Sequence, residues 1–488
     1  MSFWTAFLAV LAALAVLGVV MVVFWRPAMR QAVRGLIGPF LERLVRDPYT
    51  KNLASMFTVI RHVGPQVFME TQLRASGGGA LERPMGSPLQ PSPWQQLYFQ
   101  PVYLRPRMPT PADEQIEMRT VIGPRAQKPL HLDIPILIAG MSYGGALSVQ
   151  AKLALAKGAN LAGTATNSGE SYLPEERQAA DRLIVQHHRG LWGNGTMQRP
   201  ELLRWGDAIE IHLGQGAQAA AAMRTEPTDQ AINAKMRSVY GLEEGERAQV
   251  ATRFRGVDSP EAFVDMVRKL KQDYPVPVGA KLGVSDYIEQ DLEVLLDAGV
   301  DFVTIDGAEG GTHGGPAALQ DDVGLPTMHG LVRADDYLRQ AGRRDAVTLI
   351  AAGQMTSPGR CLKALALGAD AVYIGTVAIL SMLSDQAKKT LPWEPTCDMV
   401  MHSAGHRWNA ALDVEHGARS LANYLDSAVT EMRYVVQTLG KTDVHALDRG
   451  DMVALDAQTA SLCGVRLAWR RHAQAAGEAM RPEEAASR

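Results

Sequence analysis

The chain is expected to fold as an α/β protein, a (β/α)8 TIM barrel with an N-terminal transmembrane helix and a C-terminal helical extension. First, the stretch from Ala298 to Thr376 states one phrase twice, AGVDFVTIDG (298–307) and LGADAVYIGT (367–376). Each copy reads as a helix end, a glycine able to take the left-handed cap, an aspartate turn, a buried β-branched strand and a small-residue loop. Strand ends opening into glycine loops are where a parallel barrel builds its ligand site. Second, from about Leu130 apolar strands alternate with helix-length segments, the rhythm of βαβ units. Third, Phe3–Trp25 runs for 23 residues without a charge.

At a rise of about 1.5 Å per residue, that run makes roughly 34 Å of helix, enough to span a bilayer. Trp4 and Trp25 lie near its ends, where interfacial aromatics are favoured. A cleaved signal peptide would carry a basic leading segment and a small-residue cleavage site, and neither is present. Arg26, Arg30 and Arg34 follow the run while nothing basic precedes it. The positive-inside rule then puts the large C-terminal part in the cytoplasm, behind a single-pass anchor over 1–25. The three cysteines, Cys361, Cys397 and Cys463, have no CxxC spacing and agree with a reducing compartment. With 49 basic against 52 acidic side chains, nothing points to nucleic acid.

Residues 26–94 read as juxtamembrane helices and a linker, with SGGGA (76–80) and PMGSPLQPSP (84–93) as an exposed Gly/Pro-rich loop. The barrel is assigned to 95–408. Its strands are expected at IPILIAG (134–140), LAGTATN (161–167), AIEIHLGQG (208–216), PVGAKL (277–282), 301–305, 347–352 and 371–374. Helices are expected at 147–157, 286–297 and from Pro358. The segments 168–207 and 217–275 read as long insertions over the barrel mouth. Residues 409–488 form a helical cap, with helices at 420–437 and 454–462, and a polar tail. An open doubly wound sheet is the alternative. It is disfavoured because no GxGxxG follows the first strand and the glycine loops come late, after the strands expected to be seventh and eighth.

The phosphate-type site is the clearest chemical signal. In LIAAGQMTSPGR (349–360) a strand ends at Ala352 and Gly353 allows close backbone approach. Ser357-Pro358 then forms an N-cap with proline in the first turn, so a helix start directs free N–H groups at an anion. Gly375-Thr376 repeats the arrangement one strand later. Lys281, ending PVGAKL, is placed to hold negative charge developing on a ring or substrate. Asn167 and Glu170 follow another strand and suit hydrogen bonding to a heterocycle and proton transfer. Gln215 offers a second amide, and His313 in GGTHGG is either an acid/base or a turn residue. His187, His188 and His212 lack metal-ligand spacing and read as structural.

Together these residues resemble the FMN-binding synthase domain of glutamate synthases, particularly its short single-domain relatives. IAGMSYGGALS (138–148) is similar to the family's GMSFGAMS segment, and TNSGESYLPEER (166–177) to its NTGEGG loop. EIHLGQGAQ (210–218) resembles its KIAQGAK strand and VGAKLG (278–283) its flavin-facing lysine strand. DGAEGGTHGGP (306–316) resembles its glycine-rich loop, and AAGQMTSPGR with ADAVYIGT its phosphate site. The match runs over roughly 95–465.

The resemblance implies a barrel that holds FMN noncovalently and reduces 2-iminoglutarate, formed from 2-oxoglutarate and ammonia, by hydride transfer from reduced flavin. By position, Met141, Ser142, Asn167 and Gln215 would contact the ring, and Lys281 its N1/C2-carbonyl edge. Asp306, Gly310, Gly311 and Thr312 would supply the glycine-rich loop, and Gly353, Gly375 and Thr376 the phosphate grip. Lys281, Glu170 and His313 would be the catalytic groups, with Glu170 as general acid/base. Departures accompany the match. A membrane span stands where full-length enzymes carry a glutaminase domain, so ammonia would be free or come from a partner. No nicotinamide-binding domain is present, so an electron-donor protein is expected. Only Cys397 matches the cysteine triplet, so no 3Fe–4S cluster is expected. On the substrate side KPGEGG becomes QAAAAM (218–223) and NTGEGG becomes NSGESY (167–172), which removes groups expected to hold a dicarboxylate. Other FMN-barrel chemistry, hydroxy-acid oxidation or flavin-dependent isomerisation, and a flavin-carrying subunit of a membrane complex stay open as alternatives.

Overall fold

The computed structural model describes residues 3–48, 61, 64–77, 81, 83, 86–190, 200–224, 233–246, 248–312, 314–391, 394, 396–402 and 406–470. The chain divides into two compact units, Met1–Leu81 and Glu82–Arg488. In the first, the uncharged run lies inside one helix of 44 residues, Phe3–Arg46, and a second helix covers Pro65–Gly77. Among the described residues no helix is long and apolar enough to cross a membrane. Several side chains of the run, Val19 and Val20 among them, lie outside the described residues. The expected span therefore has no support from this helix.

In the second unit, eight parallel strands form the sheet: β1 Ile136–Ile138, β2 Thr166–Asn167, β3 Leu183–His187, β4 Ala208–His212, β5 Val278–Gly283, β6 Phe302–Asp306, β7 Thr348–Ala352 and β8 Ala371–Ile374. Their spatial order is β1-β8-β7-β6-β5-β4-β3-β2. The end strands also approach each other, Ile138 N donating to Ala165 O at 3.0 Å, so the sheet curls into a nearly closed barrel. The residues of these strands are buried along almost their whole length, as parallel strands covered by helices should be. Seven strands fall where the sequence placed them. The eighth, β3, lies inside 168–207, which is therefore not an insertion but a short helix, Pro174–Ala179, followed by a strand. With β3 counted, the two glycine loops follow the seventh and eighth strands.

Local rules set the helix ends. Ser148 caps Val149–Leu161, accepting from Ala151 N at 3.2 Å. Gly299 ends Ile288–Ala298 with φ of 77° and hydrogen bonds back to Leu295 and Leu296, the left-handed cap a side chain would strain. The C-terminal helix Val414–Thr438 lies against Val149–Leu161. A Cβ on Gly158 would stand 2.8 Å from Leu421 Cδ2, so the glycine sets how closely these helices approach. A small outer sheet joins Leu97–Phe99 antiparallel to Met452–Ala454 and tethers both flanks of the barrel.

The segment from Gly86 to Pro93 is an exposed loop only in part: Pro88, Leu89, Gln90 and Pro91 are exposed, but its serines are anchored. Ser87 and Ser92 are buried, Ser87 Oγ donating to Asp321 at 2.6 Å and Ser92 Oγ bonding to Glu309. Arg83 adds a bidentate pair to Asp321 at 2.7 and 2.8 Å. Buried hydroxyls find carboxylate partners here, so a Pro/Ser-rich sequence packs as a strap across the barrel.

The loop after β4 is equally constrained. A Cβ on Gly216 would lie 1.6 Å from the carbonyl oxygen of Gly307. Gly216→Ala must push two backbone loops apart, and it should destabilise the protein by about 1–3 kcal/mol in urea unfolding. An unchanged midpoint would show that the loops separate freely.

Candidate functional site

A cavity of ≈ 520 Å³ opens at the C-terminal ends of the barrel strands. Alternation along β4 builds its floor: Ala208, Glu210 and His212 share one face, with Ile209 and Ile211 on the other. Glu210 is fully buried in the barrel interior. It accepts hydrogen bonds from Asn167 Nδ2 (3.0 Å), Gln186 Nε2 (2.8 Å) and Thr304 Oγ1 (2.9 Å). Two residues higher, His212 lines the cavity, and Lys281 on β5 is its register partner.

Lys281 Nζ lies 2.9 Å from Asp306 Oδ2, and both side chains are almost fully buried. Burial works against its charge, but Asp306, Glu210 and Glu170 outweigh it and raise the lysine pKa. The ammonium is thus fixed, charged and turned to the cavity. Glu170 Oε1 is 3.1 Å from His212 Nδ1. Burial pushes this carboxyl up, but the His212 hydrogen bond and the Arg189 charge hold it down to about 2.

At the other end of the cavity, Gly353 has φ of 110°, and a Cβ there would meet Thr327 Oγ1 at 2.2 Å. Ser357 caps the helix Pro358–Ala366, accepting from Arg360 N at 3.3 Å, and Gly375 precedes the helix Thr376–Leu383. Arg360 lines the same end. Its guanidinium reaches Gln354 O at 3.2 Å and Gln90 Oε1 on the strap at 2.9 Å. Two helix starts, two glycines and an arginine around one space make a seat for a phosphate-sized anion.

Of the residues named from sequence, Met141, Ser142, Glu170, Gln215, Lys281, Asp306, Gly311, Thr312, Gly353, Gly375 and Thr376 line the cavity. Asn167 does not. Its Nδ2 bonds Glu210 and Tyr373 (3.2 Å) and its Oδ1 accepts from Gly169 N (2.9 Å), so it braces the floor instead of facing a ring. Gly310 also stands off the lining; a Cβ there would meet Asp306 Oδ1 at 2.6 Å, so its bareness serves that aspartate's position. His313 lies outside the described residues. His187 and His188 are buried, whereas His212, read as structural, faces the cavity. The alternation Glu210–His212 carried that signal. Arg360 was missed although it stands one turn into the TSPGR helix. Met236, Tyr240, Ala248 and Val250, from the 217–275 insertion, form a wall that no motif announced. Among the described residues no group of three His, Cys, Asp or Glu side chains is placed to hold a metal, and the Cys397 side chain lies outside them.

A family model described as the conserved region in glutamate synthase matches residues 99–442. A glutamate synthase large subunit-like protein of Rhizobium meliloti is 32% identical over 73% of this chain and 83% of its own. An archaeal-type glutamate synthase [NADPH] of Thermotoga neapolitana is 28% identical over 81% of each chain. An archaeal glutamate synthase [NADPH] of Archaeoglobus fulgidus is 33% identical over 68% of this chain and 63% of its own. Among solved structures, a flavocytochrome b2 mutant matches at 14% identity with a TM-score of 0.48, over 75% of this chain and 77% of that one.

Proposed function

The chain belongs to the glutamate synthase family, and from that premise we propose that it is an FMN-dependent oxidoreductase acting on the C–N bond of an amino or imino compound. The observation that carries the reading is one cavity with a phosphate-type seat at one end and the buried Lys281–Asp306 pair beside the other. The residues fit the cofactor. A Cβ added at Gly375 would have Ala139 Cβ as its nearest neighbour, 3.8 Å away, so the helix start is open toward the cavity, and Arg360 brings a guanidinium to it. Bound FMN would supply hydride transfer to the carbon of a C=N bond, or from the carbon bearing nitrogen in an amine.

The remaining work falls to the chain. Gly353, Gly375, Thr376 and Arg360 would hold the phosphate. Met141, Ser142 and Gln215 would border the ring. Lys281, kept charged by its carboxylates, would stabilise negative charge on the ring. Glu170 and His212 move the proton at the substrate nitrogen, the carboxylate orienting the imidazole through Nδ1. Ammonia as the nitrogen source, an electron-donor protein and a membrane anchor at Phe3–Trp25 with the barrel cytoplasmic complete the proposal; the uncharged run and the arginines after it support the last.

The test is the visible spectrum of the purified protein and the mass of its released cofactor. FMN is the expected result, and a colourless protein overturns the reading. Arg360→Ala should weaken FMN retention at least tenfold in equilibrium dialysis while riboflavin binding stays unchanged, because only the phosphate contact is lost. An equal loss for both ligands would place Arg360 elsewhere.

A further inference from the structure

The substrate end of the cavity is charged in an unexpected way for a dicarboxylate site. Its wall is apolar: Leu147, Met236, Tyr240, Ala248, Val250 and Met401 line it. The wall is rigidly made. Met236, Tyr240 and Ala248 belong to a small hydrophobic core with Tyr143 and Leu173, and Leu147 bridges to Met401. Tyr240 is not a free donor here, since its oxygen accepts from Gly145 N at 3.2 Å and bonds Tyr143 O.

Against that wall stands the Glu170 carboxylate, held ionised through most of the pH range. The lysine and arginine side chains among the described lining residues are Lys281 and Arg360. Lys281 is paired with Asp306, and Arg360 sits at the phosphate end on Gln90 and Gln354. Arg189 is buried behind the wall, its Nη1 donating to the carbonyls of Ala220, Ala251 and Thr252. Gln218, a neutral amide beside this space, is tied to Thr312 Oγ1 (2.6 Å) and Gly314 O (2.8 Å). A dicarboxylate entering this end meets the Glu170 carboxylate, while Lys281 is already paired with Asp306 and Arg360 lies away at the other end, which disfavours it.

We propose that this end of the cavity takes an amine or imine nitrogen joined to an apolar body, with the nitrogen on Glu170 and the body against Met236, Val250 and Met401. The inference rests on the C–N chemistry proposed above and narrows its substrate class: an alkyl or arylalkyl amine, or the corresponding imine, in place of a dicarboxylic acid. A protonated amine donates to the Glu170 carboxylate, a charge-assisted bond in a largely desolvated site.

The test is calorimetric titration of the full-length protein with 3-methylbutylamine, with 4-methylpentanoate as its carboxylate counterpart, and with 2-oxoglutarate. The amine should bind at least tenfold more tightly than either acid. Glu170→Gln should erase that preference while flavin content, the check on folding, is unchanged. Gln218→Lys supplies a gain that misfolding cannot imitate: 2-oxoglutarate binding should rise about tenfold. Binding of 2-oxoglutarate as tight as the amine, an amine preference that survives Glu170→Gln, or no effect of Gln218→Lys would each overturn the inference. Released flavin, measured on the same samples, separates the two levels. A flavin-loaded protein that prefers 2-oxoglutarate sinks the substrate class alone, whereas a flavin-free protein sinks the oxidoreductase reading.

Discussion

Lys281→Ala is expected to destabilise the barrel by about 3–5 kcal/mol, the usual consequence of stripping one partner from a buried ion pair. The lysine and Asp306 expose only 5% and 6% of their side chains, so water cannot take over the neutralisation. Glu210, fully buried one layer below and one of the carboxylates that raise the lysine pKa, also loses its nearby positive charge. The measurement is urea unfolding of the wild type and variant at pH 7.5. Asp306→Asn in the Lys281→Ala background should recover part of the loss, because the uncompensated charge goes with it. That double variant also separates scaffold from chemistry. Once stability is partly restored, flavin binding and flavin reduction should stay impaired if Lys281 serves the ring. Recovery of both would reduce the lysine to a counter-ion for the core. A single-variant loss under about 1 kcal/mol would mean that the pair is far wetter than its burial indicates.

The backbone of the end proposed to hold a phosphate was legible because its signals are local. Ser357, Pro358 and Gly353 lie within six positions, and an N-cap or a positive φ depends on immediate neighbours alone. The strand β3 was not legible. LIVQH is buried at all five positions, and its Gln and His break the apolar run by which a buried parallel strand is recognised. Gln186 is polar because it faces Glu210 across the β3–β4 register, a pairing invisible before the fold is known. Asn167 shows the same effect reversed. A strand-end amide looked ready for a ligand, but the interior carboxylate below it demanded donors first. The strap could not have been read either, since Ser92 meets Glu309 and Ser87 meets Asp321 across more than 200 residues of chain. His212 was available to a stricter reading: once Glu210 is assigned inward, period-2 geometry turns His212 the same way.

The Leu183–His187 strand and its continuation are also expected to make the protein acid-labile. Burial holds His187 near about 3 and His188 near about 4, so both rings are neutral in the fold. His187 stacks on Phe254 at 5.0 Å, and neither of its ring nitrogens has a hydrogen-bond partner among the described residues. His188 Nδ1 accepts from Gly190 N at 3.0 Å. In the unfolded chain each ring protonates near about 6.5, so between that pH and the folded values the unfolded state binds more protons. Stability contributed by neutral burial is therefore complete above about pH 6.5 and falls as the pH drops toward 4. Between pH 7.5 and pH 5 each histidine should remove about 2 kcal/mol. Glu170, with its folded pKa depressed to about 2, contributes stability above its unfolded value that is lost only below about pH 4.5, a separate window. His187→Phe keeps a ring against Phe254 and removes the titration. Its urea midpoint should therefore drop less than that of the wild type from pH 7.5 to pH 5, by the equivalent of about 2 kcal/mol. The remaining slope belongs to His188, whose neighbours Glu170, His212 and Arg189 partly offset one another. An unchanged slope in His187→Phe would mean that the ring takes its proton without opening the fold, and the acid lability would then have to originate elsewhere in the barrel.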